Sequence, residues 1–249
     1  MTRLPVLTYH AIEDIQSPLA VSPRVFEATL RRQAPDGWHT LSEAEAREGS
    51  LRGSWPERSL LIHFDDGFDS VRTDGWPILR AHGFTATVFI VTAWVGRTND
   101  WPGQPTAAPR RPLMDWDGLA QLAGHGATIG AHTVNHPRLP LLSADHQAEE
   151  IGASCETVGR AFGGDSRVFA YPYGSVDAQV MTVANRSVSA AYGTRLAFRT
   201  PENHALDLPR IDAYYLSSPS IAGRLDRFET RAYLAVRRAG RAARSLLGR

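Results

Sequence analysis

The segment Ser59-Leu60-Leu61-Ile62-His63-Phe64, closed by Asp65-Asp66-Gly67, constrains this 249-residue chain more than any other stretch. A short, largely apolar run bounded by polar residues reads as a strand buried on both faces, the kind found in parallel sheets covered by helices. Two adjacent carboxylates and a glycine then stand where the core should end. In an α/β barrel the C-terminal edge of a strand is where the chemistry is placed.

Adjacent carboxylates do not share one task, because side chains alternate along an extended chain and like charges repel. One can bind a divalent cation while the other stays free as a base. Downstream, His132-Thr133-Val134-Asn135-His136 sets two imidazoles four residues apart, a spacing that predicts a helical turn projecting both from one face. With Asp66 they would make a three-ligand site that leaves positions for water and substrate. Alone, Asp-Asp-Gly is also an ordinary turn and a His pair an ordinary helix face; their order and flanks make the combination specific.

Three segments, LIHFDDGFDS, IGAHTVNHPRL and VFAYPYGS, resemble the first three motifs of the polysaccharide deacetylases, carbohydrate esterase family 4, which share the NodB homology domain. The resemblance runs from about Pro5 to Asp212. It implies an irregular (β/α)7-8 barrel, with Asp65 as catalytic base, Asp66, His132 and His136 as metal ligands, and the Tyr173 backbone amide as oxyanion donor. The implied metal is a single divalent ion, zinc first, with cobalt or nickel as alternatives.

The match has two gaps. Ala170 stands where many members carry an Arg that holds the catalytic Asp, and no late Leu-x-x-His motif follows, the last His being His204. The N-terminal strand Pro5-Val6-Leu7-Thr8-Tyr9-His10 is similar to the start of the poly-N-acetylglucosamine deacetylase branch. There a circular permutation moves the final strand and its His to the front, and in a closed barrel first and last strands are neighbours. On that resemblance His10 is the general acid, with His63 as competitor; otherwise His10 only caps a strand. Leu208-Pro209-Arg210-Ile211-Asp212 resembles a late strand of the same branch, from which Arg210 would serve the substrate site or reach Asp65 or His10. A plain structural ion pair for Arg210 is the alternative.

Composition agrees with one catalytic domain over residues 1–222, followed by a basic C-terminal helix over 223–249. The net charge of +1 gives no case for nucleic acid, and all 27 basic residues are Arg. The single Cys155 excludes an intrachain disulfide and a Cys-rich zinc site. The N-terminus runs directly into the first strand without a signal-peptide pattern, so the expected location is the cytoplasm. The pattern predicts helices over 23–33, 70–82, 117–124 and 143–162, and strands over 86–91, 127–131, 168–170 and 190–192. A proline-rich polar loop over 96–112 is expected to shape a cleft. Trp116 and Tyr171 are expected to pack in the core.

Residues 224–249 hold eight Arg against Asp226 and Glu229, with apolar residues between them. Such a helix fits packing on the domain with a solvated basic face, or contact with an anionic membrane surface. Three functions remain open on the sequence: removal of an N-acetyl group from a glycan amino sugar, deacetylation or deformylation of a small or lipid-linked amino sugar, and non-catalytic sugar binding.

Overall fold

The structure, a computed structural model, describes residues 3–104, 108–163, 167–216, 225 and 228–247, with side chains as far as residue 240. Seven parallel strands form a closed barrel: β1 (Val6–Tyr9), β2 (Ser59–Phe64), β3 (Thr87–Ile90), β4 (Thr128–Ala131), β5 (Val168–Ala170), β6 (Ala190–Leu196) and β7 (Leu208–Asp212). From β2 onward they pair in chain order. Closure comes from β1, which sets Leu7 opposite Ile211 of β7 on one side and Val6 opposite Leu61 of β2 on the other. The first strand of the chain is therefore flanked by the last strand and by the strand that carries the carboxylates.

Among the described residues seven α-helices surround the barrel: α1 (Pro23–Gln33), α2 (Glu43–Arg52), α3 (Trp76–Ala81), α4 (Trp116–Gly124), α5 (Ala144–Phe162), α6 (Ala178–Ala184) and α7 (Phe228–Leu247). Local chemistry starts most of them. Ser22, Ser42, Asp115, Ser143 and Asp177 each accept a hydrogen bond from a backbone N–H in the first turn, and Ser42 with Glu45 closes a full capping box. The helix expected over 70–82 is instead a π-turn, Val71–Gly75, leading into α3. There the Trp76 N–H reaches back to the Val71 carbonyl and Pro77 has no N–H to continue the ladder.

Strand alternation sorts the core into two parts. Leu60, Ile62 and Phe64 of β2 face the helices, whereas Leu61 and His63 face the barrel interior with Val6, Phe89, Val168, Ala170, Tyr192 and Leu208. Gly130 on β4 leaves the room that the Phe89 ring fills. His63 shares the side of Asp65 one layer lower: it is fully buried, edge-on to Tyr192 and Phe89, with Nε2 2.9 Å from Glu43 Oε1. It does not line the cavity described below, whereas His10 does.

Glu43, at the start of α2, plugs the bottom of the barrel. Its carboxylate accepts hydrogen bonds from Tyr192 Oη (2.6 Å) and Thr87 Oγ1 (3.1 Å), and Arg199 in turn donates to Tyr192 Oη (2.9 Å). Burial pushes the Glu43 carboxyl up, but His63, Tyr192 and Arg199 outweigh it and bring it below the ordinary 4.5. A carboxyl lowered on folding adds stability that is complete above its unfolded value and is lost as pH falls through its folded value. Thermal melts of wild type between about pH 6 and pH 3 should therefore decline more steeply than those of Glu43→Gln, which lacks this titration. Parallel declines would show that Glu43 does not carry the acid sensitivity.

Candidate active site

The C-terminal ends of the strands bring the polar residues together. Inward positions at the top of β1, β2, β4, β6 and β7 place His10, Asp65, His132, Thr194, Arg210 and Asp212 around one cavity of about 320 Å³, which Asp66, His136 and Tyr173 also line. Asp66 takes a left-handed backbone conformation (φ 70°), uncommon outside glycine but tolerated by Asp. That kink lets two consecutive carboxylates enter the same cavity, where regular alternation would send one outward.

The two carboxylates have different partners. Asp65 accepts both prongs of the Arg210 guanidinium, Nη1 and Nη2 each donating at 2.7 Å, while Arg210 Nε donates to the Gly193 carbonyl at 2.9 Å. Burial would raise the Asp65 carboxyl, but the charge and hydrogen bonds of Arg210, with His132 and His10, hold it at about 2. Asp65 is thus an ionised carboxylate at any physiological pH. Arg210 comes from β7, across β1 from β2, and makes the contact that Ala170 cannot make.

Asp66 has no such clamp. Its Oδ1 is buried without a hydrogen-bond partner, 3.5 Å from His132 Nε2 and 3.3 Å from His136 Nε2. Ligand atoms of Asp66, His132 and His136 all lie within 4.8 Å of one another. A buried, unpartnered carboxylate oxygen is costly by itself, and a cation between it and two imidazoles removes that cost. The donor set of two nitrogens and one oxygen fits a divalent ion.

Second contacts fix the imidazoles. His132 Nδ1 lies 2.7 Å from the Ala170 carbonyl, which aims Nε2 into the cavity. The His136 ring is boxed by Trp101 (4.4 Å between centroids), Tyr173 (4.6 Å) and His132 (4.9 Å). Burial lowers the His136 pKa, favouring the neutral form that a metal ligand requires.

The segment from His132 to His136 is not the helical turn expected from its spacing. Thr133 and His136 have positive φ (70° and 60°), and the segment is a tight loop. Glu150 of α5 holds it, accepting the Val134 and Asn135 backbone N–H groups and the Asn135 side-chain amide at 2.7–2.9 Å. Thr133 Oγ1 also accepts the His136 N–H at 2.9 Å. Convergence comes from this external carboxylate, since an isolated loop of that shape would be strained.

Tyr173 also lies in the left-handed region (φ 59°, ψ 7°), with the Arg138 guanidinium 4.2 Å above its ring. Gly174 (φ 63°) follows, where a Cβ would overlap Thr194. The loop over 96–112, expected to be polar, buries Trp101 and Asn99 and contributes Gln104 and Ala108 to the cavity; its residues 105–107 fall outside the described ones. Tyr171 is fully buried, as expected, and donates to the Leu206 carbonyl. Trp116, expected in the core, is 40% exposed on the first turn of α4 beside Phe162. Glu150 and Trp101 were not anticipated, and neither lies in a motif.

A family model described as Polysaccharide deacetylase matches residues 52–189, more than half of the chain and all of the segment between Asp65 and Tyr173. The chain belongs to the polysaccharide deacetylase family. It is 27% identical over 186 residues to the Bacillus subtilis (strain 168) protein YxkH, covering 74% of this chain and 62% of that protein. It is also 27% identical over 197 residues to the poly-beta-1,6-N-acetyl-D-glucosamine N-deacetylase of Staphylococcus aureus, covering 77% and 67%. The chain thus spans about two thirds of the length of these relatives. Among solved structures, IcaB from Ammonifex degensii superposes with TM-score 0.74 at 22% identity, covering 94% of this chain and 97% of that one. The Streptococcus pyogenes deacetylase PplD in complex with acetate gives 0.74 at 24%, covering 85% and 92%. These two likenesses establish the barrel fold that this chain shares.

Proposed function

We propose that this polysaccharide deacetylase hydrolyses the N-acetyl group of an amino sugar within a glycan. The observation that carries the reading is the pairing, within one cavity, of an unpartnered Asp66 oxygen facing two imidazoles with a clamped, ionised Asp65. Family membership and the name of the Staphylococcus aureus relative support the substrate class.

A divalent cation held by Asp66, His132 and His136, zinc in this reading with cobalt or nickel as alternatives, would polarise an amide carbonyl and lower the pKa of water. Asp65, kept in place by Arg210, takes the proton of the attacking water. The Tyr173 backbone amide donates to the developing oxyanion, a contact of a kind that contributes about 3 to 4 kcal/mol. His10, at the end of β1 on the same cavity, delivers a proton to the departing amine. The products are acetate and a free amino sugar.

The test is acetate release by purified, metal-loaded protein from chitooligosaccharides, nucleotide sugars and lipid-linked amino sugars. Full metal occupancy with no release from any of them would sink the reading. His10→Ala is expected to lower the rate about 10²-fold with metal content unchanged. An unaltered rate would remove His10 from the mechanism while leaving the base and the metal site standing.

A further inference from the structure

The helix α7 is amphipathic twice over. Thr230 and Leu234 are 1% and 3% exposed and, with Tyr233, seat the first half of the helix on the domain, where it packs against β6. On the opposite side Phe228, Ala232, Ala235, Val236 and Ala239 follow one another at i, i+4, i+7, i+8 and i+11, a single stripe at helical period. All five are exposed, Phe228 at 72% and Val236 at 70%. From Ala235 to Gly240 every side chain is exposed, so the helix runs off the domain with its apolar stripe bare.

Charge is segregated onto the same segment. Residues 224–249 carry eight Arg against two acidic residues, a net charge of +6 in a chain whose total is +1, which leaves the remainder at −5. Arg238 is exposed at the edge of the stripe, Arg237 is turned to the other side, where its Nε donates to Tyr233 Oη at 3.1 Å, and the sequence adds Arg241 and Arg244. An apolar stripe with arginines on the other side of the same helix matches a surface that is apolar beneath and anionic on top. A nucleic acid would use the arginines and leave the stripe wet, and a second copy of this chain would bring two +6 segments together. Among the described residues no helix is long and apolar enough to cross a membrane. We propose that α7 lies flat on an anionic lipid surface and tethers the domain there, independently of the reaction in the barrel.

The test is co-sedimentation of the full chain with vesicles of phosphatidylcholine alone and of phosphatidylcholine mixed with phosphatidylglycerol. Binding to the mixed vesicles should be at least about 10-fold tighter and should weaken with added salt. Neutralising the exposed Arg238, R238Q, should cost roughly 5-fold in affinity, and F228D with V236D should abolish binding. These positions are exposed, so unchanged thermal melting and unchanged acetate release from a soluble substrate are expected to accompany the loss. Equal binding to both compositions, absence of binding, or a dimer dissolved by V236D in light scattering would each overturn the proposal.

Discussion

Asp65→Asn is expected to lower turnover by about 10³-fold while metal content stays at the wild-type level. The carboxylate is ionised, buried and held by two 2.7 Å hydrogen bonds from Arg210, so its position is set before any substrate arrives. Asparagine keeps the shape and one acceptor oxygen but cannot take a proton. Its amide would turn an N–H toward one Arg210 donor, so the variant should also lose roughly 1.5 to 3 kcal/mol of stability, the range for hydrogen bonds to charged groups. That loss is small enough to leave a folded protein, which a thermal melt would verify before kinetics are compared. Near-wild-type turnover in a folded, metal-loaded Asp65→Asn would show that Asp65 is not the base.

Most of the barrel was legible because strand period and helix caps are local signals. Helix α1 and strand β5 lie where periodicity puts them, and the edge of β2 carries the carboxylates that its change of polarity announced. The small elements escaped: strand His39–Thr40 is two residues long, and α2 lacks a strong apolar stripe, being held largely by Glu43 reaching into the barrel. The identities of the metal-ligand candidates were readable from spacing and order, yet the shape of the loop between His132 and His136 was not. That loop depends on Glu150, fourteen residues beyond His136, and no pattern in the sequence links the two. Arg210 was visible only as one of two possibilities, because its contact with Asp65 spans 145 residues and is created by barrel closure through β1. Side chains that act through closure or through a distant helix leave no local trace.

The metal site should reveal itself in stability as well as in activity. Adding a divalent ion to chelator-treated protein is expected to raise the melting temperature, because an ion that binds only the folded state stabilises it by mass action. At an ion concentration near a thousand times Kd the gain is about 4 kcal/mol, which for a domain of this size corresponds to roughly 8 to 16 °C. Asp66→Asn should remove most of that shift, weaken metal binding by more than about 100-fold and reduce acetate release to background. Asparagine is the informative replacement because it tolerates the left-handed φ of 70° and removes only the charge. Asp65 does not offer the same site, because Arg210 occupies both of its oxygens. A full thermal shift and full metal content in Asp66→Asn, measured by calorimetry and elemental analysis, would move the ion away from this triad.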